Sequence, residues 1–459
     1  MPSPDLSDEF LESISENLDS LRSWCADVQD AFLVAVLQEA IEGGHEKVVQ
    51  VLLDKNVDVN AQGIYYINAL EAASVGGHET IVQLLIEKNA DVNAQGGYFG
   101  NALQVASAGG YDTMVQLLLE NNADVNAQGG YYGNALQAAS ARGHETIVQL
   151  LLDNNADVNA QGGFYGNTLV AASAEGHETI VQLLLDKNMD VNAQGGSDES
   201  ALVAASVRGH ETMVQLLLEN NADVNAQGGH YGNALQAASA RGHETIVQLL
   251  LDKNVDVNTQ GGFYGNALVA ASAEGHETIV QLLLDKNVDV NAQDGFNGSA
   301  LVAASARGYK TIVQLLLDKN ANINAQGGHY GSAFIAASAR GDETIIQLLL
   351  EKNADINAQG GHHGNALQAA SQGGHETIVQ LLLDKNVDVN AQGGYYGNAL
   401  QAASQGGHET IVQLLLYQNV DVNAQGGYFG NALQAACQGG HETIVQLLLD
   451  KNADVAGRA

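Results

Sequence analysis

The chain repeats itself every 33 residues, thirteen times, without an insertion or deletion. A Gly-His-Glu step keeps the register: His45, His78, His144, His177, His210, His243, His276, His375, His408 and His441 fall on one grid, and Tyr111, Tyr309 and Asp342 take its three remaining points. A fixed period of this length dictates stacked supersecondary units, each too thin to bury its apolar face alone and each touching only its neighbours. Such a chain offers a long surface rather than a closed cavity.

A length of 459 residues would otherwise suggest two or three globular domains. The unbroken period overrides that prior. It assigns residues 31–459 to one array whose last unit is truncated, and residues 1–30 to an N-terminal capping helix segment. Phe10, Leu11, Ile14, Leu18, Leu21, Trp24, Cys25 and Val28 share one face of that segment, which is expected to cover the first unit. At the other end the apolar run from Thr443 to Leu449 has no polar replacement. The expectation there is a frayed final unit, in a chain that is monomeric or associates weakly end to end.

One unit shows how the period folds. Asn134 can cap a helix that begins Ala135-Leu136-Gln137, and Gln137, three residues on, can reach back to it. Ala135, Leu136, Ala138 and Ala139 give that helix an apolar face, and Gly143 ends it where a positive φ is needed. A second helix follows, with Glu145 in its first turn and an apolar stripe of Ile147, Val148, Leu150, Leu151 and Leu152. Asn155 stands at its stop, and the matching position is Asn in all thirteen units, from Asn56 to Asn452. Asn tolerates the left-handed conformation, so the helix is expected to end there. The Gly-rich stretch from Asp157 to Gly166 reads as an extended, hairpin-like loop. Each unit is thus helix, tight turn, helix and protruding loop, and the fold class is all-α.

The period, the Gly-His turn, the Val-Gln-Leu-Leu-Leu run and the Ala-Asp-Val-Asn-Ala exit resemble the ankyrin-repeat family over nearly the whole chain. The resemblance implies a solenoid of about thirteen helix-turn-helix-loop units. Two features depart from the family's pattern: the usual Thr-Pro-Leu-His start is Asn-Ala-Leu-Gln here, and the terminal Gly is Asn. This dialect is similar to fungal arrays that are often joined to a nucleotide-binding module of the innate-immunity type. No Gly-x-x-x-x-Gly-Lys-Ser/Thr loop occurs in this chain.

Composition narrows the partner. The formal charge is −35, from 53 acids against 18 bases, which argues against nucleic acid and anionic membrane and for a protein partner with a basic or apolar surface. Two cysteines exclude a disulfide framework, and no apolar stretch reaches the length of a membrane span. With no basic n-region leading into an apolar core, the expected location is cytoplasmic or nuclear rather than secreted.

Two surface slots carry the differences between units. The loop tips hold aromatic pairs: Tyr98-Phe99, Tyr131-Tyr132, Phe164-Tyr165, Phe263-Tyr264, Tyr395-Tyr396 and Tyr428-Phe429, with His230-Tyr231, His329-Tyr330 and His362-His363 as variants. Tyrosine anchors interfaces well, and one ring of each pair is also expected to pack on the next loop and stiffen the row. The second slot lies on the first helix of the unit. Gln137 is replaced by Val170, Val203, Val269, Val302 and Ile335 in the middle of the array. Near the helix end stand Arg142, Glu175 and Arg208, then Arg241, Glu274 and Arg307, then Arg340, so that residues 129–227 and 228–326 read as one block copied once. The resemblance puts this helix on the concave face, which implies an apolar lane edged by charge.

The expected function is a non-catalytic protein–protein interaction scaffold that needs no cofactor and no metal. The partner would lie on the concave helix face and on the aromatic tips: Tyr98, Phe99, Tyr131, Tyr132, Phe164, Tyr165, His230, Tyr231, Phe263, Tyr264 and Tyr330. Beside them would stand Arg142, Val170, Glu175, Val203, Arg208, Arg241, Val269, Glu274, Val302 and Arg307. Tyr131→Ala with Tyr165→Ala is then expected to weaken partner capture with melting nearly unchanged. Two alternatives are an accessory protein of a fungal biosynthetic cluster that acts on an enzyme, and an immune-type sensor without its nucleotide-binding module.

Overall fold

The computed structural model describes residues 26–61, 68–196, 200–293 and 295–454. Phe10 through Cys25 of the expected cap lie outside them. Among the described residues there are twenty-six helices in thirteen consecutive pairs. The first runs Ala26–Glu42, so it starts before the expected boundary at residue 30. The chain divides into two compact units that meet in sequence at Asp223 and Val224, the first containing six helix pairs and the second seven.

After the first repeat, whose opening helix is 17 residues long, the repeats are built alike. An inner helix such as Ala135–Arg142 is capped by Asn134, whose side chain accepts from the Gln137 N–H at 2.8 Å. The reciprocal half of the box is present at Asn101/Gln104, Asn233/Gln236 and Asn365/Gln368. The inner helix ends at Gly143, φ 78°. The outer helix Glu145–Asp153 then runs to Asn155, and all thirteen asparagines at that stop have φ between 56° and 65°.

Side-chain size shapes the stack. Inner helices present Ala and Ser to both neighbours and pack closely from repeat to repeat, whereas the Ile, Val and Leu of the outer helices stand farther apart. Because each inner helix is sandwiched, nearly all of its side chains are buried: Ala138, Ala139 and Ser140 have no measurable exposure.

Polar groups finish the joints. His144 Nε2 lies 3.1 Å from the Ala108 carbonyl, His210 Nε2 3.0 Å from Ala174 and His441 Nε2 3.0 Å from Gln405, each a carbonyl of the preceding repeat. A carbonyl only accepts, so Nε2 carries the proton and the row of histidines is a set of staples. In the exit loop the Asn93 Oδ1 accepts from the Asp124 N–H at 2.7 Å while its amide donates to the Asn122 carbonyl at 3.1 Å, and Asp91 turns back onto the Asn93 N–H at 3.0 Å. The acid of the exit loop thus helps shape the joint, whereas Asp153 accepts from Gln149 at 2.7 Å within its own helix.

Candidate functional site

The loop tips are the most differentiated part of the molecule. Nine of them begin and end on glycine: the Gly129 N–H donates to the Gly133 carbonyl at 2.8 Å, which closes a tight hairpin over Gly130, Tyr131 and Tyr132. Seven tips carry this closure as a single bridge, and two widen it into short paired strands, Gln161–Gly162 with Gly166–Asn167 and Gln359–Gly360 with Gly364–Asn365.

Neighbouring tips are bonded through the backbone. In the first unit the Tyr131 N–H donates to the Tyr98 carbonyl and the Phe164 N–H to the Tyr131 carbonyl, both at 2.8 Å. In the second, Phe263, His329, His362, Tyr395 and Tyr428 each donate at 2.7–2.9 Å to the tip before, and Phe296 does so at 3.4 Å. This close approach places the first rings in face-to-face rows. Tyr98, Tyr131 and Phe164 stack with centroids 5.2–5.4 Å apart, and His230, Phe263, Phe296, His329, His362, Tyr395 and Tyr428 stack at 4.8–6.0 Å. Within each pair the second ring meets the first edge-on, as Tyr132 does beneath Tyr131 at 5.0 Å and 86°.

The two rings differ in what they face. The first is exposed to differing degrees, 66% at Tyr98 and Tyr428, 44% at Phe164, and half-buried at Tyr131, His329 and His362. The second turns onto the inner helices: Tyr132 and Tyr165 are buried against Ala138, Val170, Ala174 and Ala204. Its hydroxyl reaches the charged residue ten positions on. Arg142 Nε donates to the Tyr132 hydroxyl at 2.8 Å, the Tyr165 hydroxyl donates to Glu175 at 2.8 Å, and Tyr264 does the same to Glu274. Burial first, then the carboxylate beside it, pushes the Tyr165 and Tyr264 phenols well above the ordinary tyrosine range. Arg241 lies over the Tyr231 ring at 5.5 Å.

Tyr98, Phe99, Tyr131, Tyr132, Arg142, Tyr165 and Glu175, all expected from the sequence as contact residues, line one open cleft of about 370 Å³ in the first unit together with Ala141. Arg208 and Arg307 are exposed at the ends of their inner helices, and Tyr330 is half-buried.

Two expectations need correction. Val170, Val203, Val269 and Val302, with Ile335, form no surface lane: none exceeds 2% exposure. Their slot faces the next repeat, where Gln137 donates to the Ala160 carbonyl at 3.1 Å and Gln368 to the Ala391 and Gly397 carbonyls. Nor is the melting of Tyr131→Ala with Tyr165→Ala expected to stay unchanged, because Tyr165 is buried in the core and its loss would lower stability as well as binding.

His363 takes the second-ring position of its tip, stacked between Tyr330 at 6.4 Å and Tyr396 at 6.2 Å, with Nδ1 buried and unpartnered. Burial, then the neighbouring His362 and His329, pulls its pKa down to about 4. The unfolded chain takes up this proton near 6.5 and the folded one only near 4, so stability is complete above about pH 6.5 and falls as pH drops towards 4. We expect the second unit to lose about 2 kcal/mol in urea unfolding between about pH 7 and pH 5. His363→Tyr, matching Tyr330 and Tyr396, should flatten that slope; an unchanged slope would place the sensitivity elsewhere.

Among the described residues no group of three or more His, Cys, Asp or Glu is arranged to hold a metal, and no helix is long and apolar enough to cross a membrane. A family model described as ankyrin repeats (3 copies) matches in eleven overlapping windows that run without a gap from residue 15 to residue 458, the first 15–96 and the last 368–458. No curated protein matches the chain.

Proposed function

The chain belongs to the ankyrin-repeat family, whose repeats are generally protein–protein interaction modules, and on that premise we propose that it is a non-catalytic scaffold that grips a protein partner with its loop tips. The observation that carries this reading is the row of stacked, exposed first rings held in register by backbone bonds. Exposed aromatic surface costs solubility unless something covers it, and a pre-ordered row loses little entropy when it is covered. The arginines and glutamates at the inner-helix ends add charge beside the rings and orient what binds there. The strongly acidic remainder of the chain favours a partner whose flanks are basic.

Capture from native extract tests the proposal. A chain carrying Tyr98→Ser and Phe164→Ser should lose most of its captured partner while its Tm stays within a few degrees, because neither ring belongs to the buried core. A chain carrying Gln149→Ala and Gln182→Ala on the outer helices should capture as before. Loss in the second chain with retention in the first would move the interface to the outer face.

A further inference from the structure

The placement of arginine is the feature that a general interaction surface does not absorb. The chain has seven arginines, and five of them, Arg142, Arg208, Arg241, Arg307 and Arg340, occupy one slot of the repeat, the C-terminal end of the inner helix. That slot is glycine in the first three repeats and in the last three, and charged in all seven between them. The sign alternates within each block of three, Arg142, Glu175, Arg208 in the first unit and Arg241, Glu274, Arg307 in the second, and Arg340 follows the second block. Three of these charges are met by the second ring of their own tip, Arg142 by Tyr132, Glu175 by Tyr165 and Glu274 by Tyr264.

We propose that each unit holds a docking rail for a polyproline II segment that carries, at every third residue, an acidic, a basic and again an acidic side chain. This rests on the interaction reading above and adds the chemistry of the ligand and the number of sites. Packed helices lie about 8–10 Å apart, so successive rail charges are presented at roughly that interval. A polyproline II helix turns once in three residues with a rise of 3.1 Å each, which sets same-face side chains about 9 Å apart. A β-strand returns to the same face every two residues, at about 6.6 Å, and matches the interval poorly.

The anchors fit the pattern of charge. The Tyr132 hydroxyl holds Arg142 by Nε alone, and a guanidinium has four further N–H donors for a carboxylate. Tyr165 occupies only Oε1 of Glu175, so the second carboxylate oxygen can accept from a Lys or Arg of the ligand. Tyr98, Phe99 and Tyr131 line the same cleft and supply the aromatic wall against which proline rings pack.

The test is calorimetric titration of the full chain with two synthetic peptides, Asp-Pro-Pro-Lys-Pro-Pro-Asp and its charge-reversed counterpart Lys-Pro-Pro-Asp-Pro-Pro-Lys. The rail predicts two molecules of the first peptide per chain and affinity for the second at least about tenfold lower. In a chain carrying Arg142→Glu, Glu175→Arg and Arg208→Glu, the first peptide should fall to one site and the reversed peptide should gain one. Arg241→Glu, Glu274→Arg and Arg307→Glu should do the same from the other unit, so a folding failure in one variant does not silence the test. Equal binding of both peptides, no binding of either, or indifference to the reversals would overturn the rail. If the tips still captured the native partner under those outcomes, the interaction reading would stand without it; if capture failed as well, both would fall.

Discussion

Gly163→Ala is expected to cost about 3–4 kcal/mol, a loss out of scale for one methyl group on an exposed loop. Gly163 has φ 67°, where an L side chain alone costs about 1–2 kcal/mol. A Cβ there would also stand 2.3 Å from the carbonyl carbon and oxygen of Tyr132 and 2.4 Å from the Gly133 nitrogen. All three are backbone atoms of the neighbouring tip and cannot rotate aside. Relief requires the tips to part, which breaks the bond from the Phe164 N–H to the Tyr131 carbonyl and the stack of their rings. Those losses add about 1 kcal/mol and about 0.5–1.5 kcal/mol. Gly162→Ala is the control: its φ of 142° is also strained, but its Cβ meets nothing nearer than 3.9 Å. Urea unfolding should rank Gly163→Ala well below Gly162→Ala, and equal losses would mean that the tips are not in backbone contact.

Tyr165→Ala should be nearly as damaging, about 3 kcal/mol, while Tyr98→Ala should cost less than about 1 kcal/mol. The two tyrosines belong to the same type of tip and differ in direction. Tyr165 is 9% exposed, packed with Tyr132, Val170 and Ala174, and bonded to Glu175. Tyr98 is mostly in solvent, its ring stacked on Tyr131 and met edge-on by Phe99. Tyr165→Phe keeps the ring and loses only the bond to the carboxylate, so roughly 1–2 kcal/mol of the loss should remain. Equal tolerance at the two positions, read by thermal melts, would contradict the division into a buried ring and a presented one.

Much of the fold is legible in the sequence because it is local. Asn155 and its twelve counterparts mark helix ends through a conformational preference of the residue itself, and the structure puts every one of them in the left-handed region. The tip aromatics are legible as a row because the period repeats them. The slot of Val170 is not, because a position that varies between units looks like surface. Its variation reflects two ways of filling one buried place between repeats. Gln137 satisfies the Ala160 carbonyl with its own amide, whereas beside Val170 the Asn167 amide takes the Ala193 carbonyl at 3.3 Å. An eight-residue helix buried on both flanks has no polar face for periodicity to reveal. The link from Tyr132 to Arg142 escaped for another reason. Its signal was the ten-residue spacing between a tyrosine and a charge, and that spacing gains meaning only once the tip folds back over the inner helix.

Amide hydrogen exchange at the tips tests most directly whether the loops are knitted into one presenting row. The N–H groups of Phe164, Phe263, His329, His362, Tyr395 and Tyr428 belong to protruding loops, yet each is bonded to the carbonyl of the preceding tip. They should exchange at least ~100-fold more slowly than in a free peptide, with protection that falls locally when Gly163→Ala parts two tips. Exchange at free-peptide rates while the helices stay protected would mean independent loops, and the ordered ring row would have no basis.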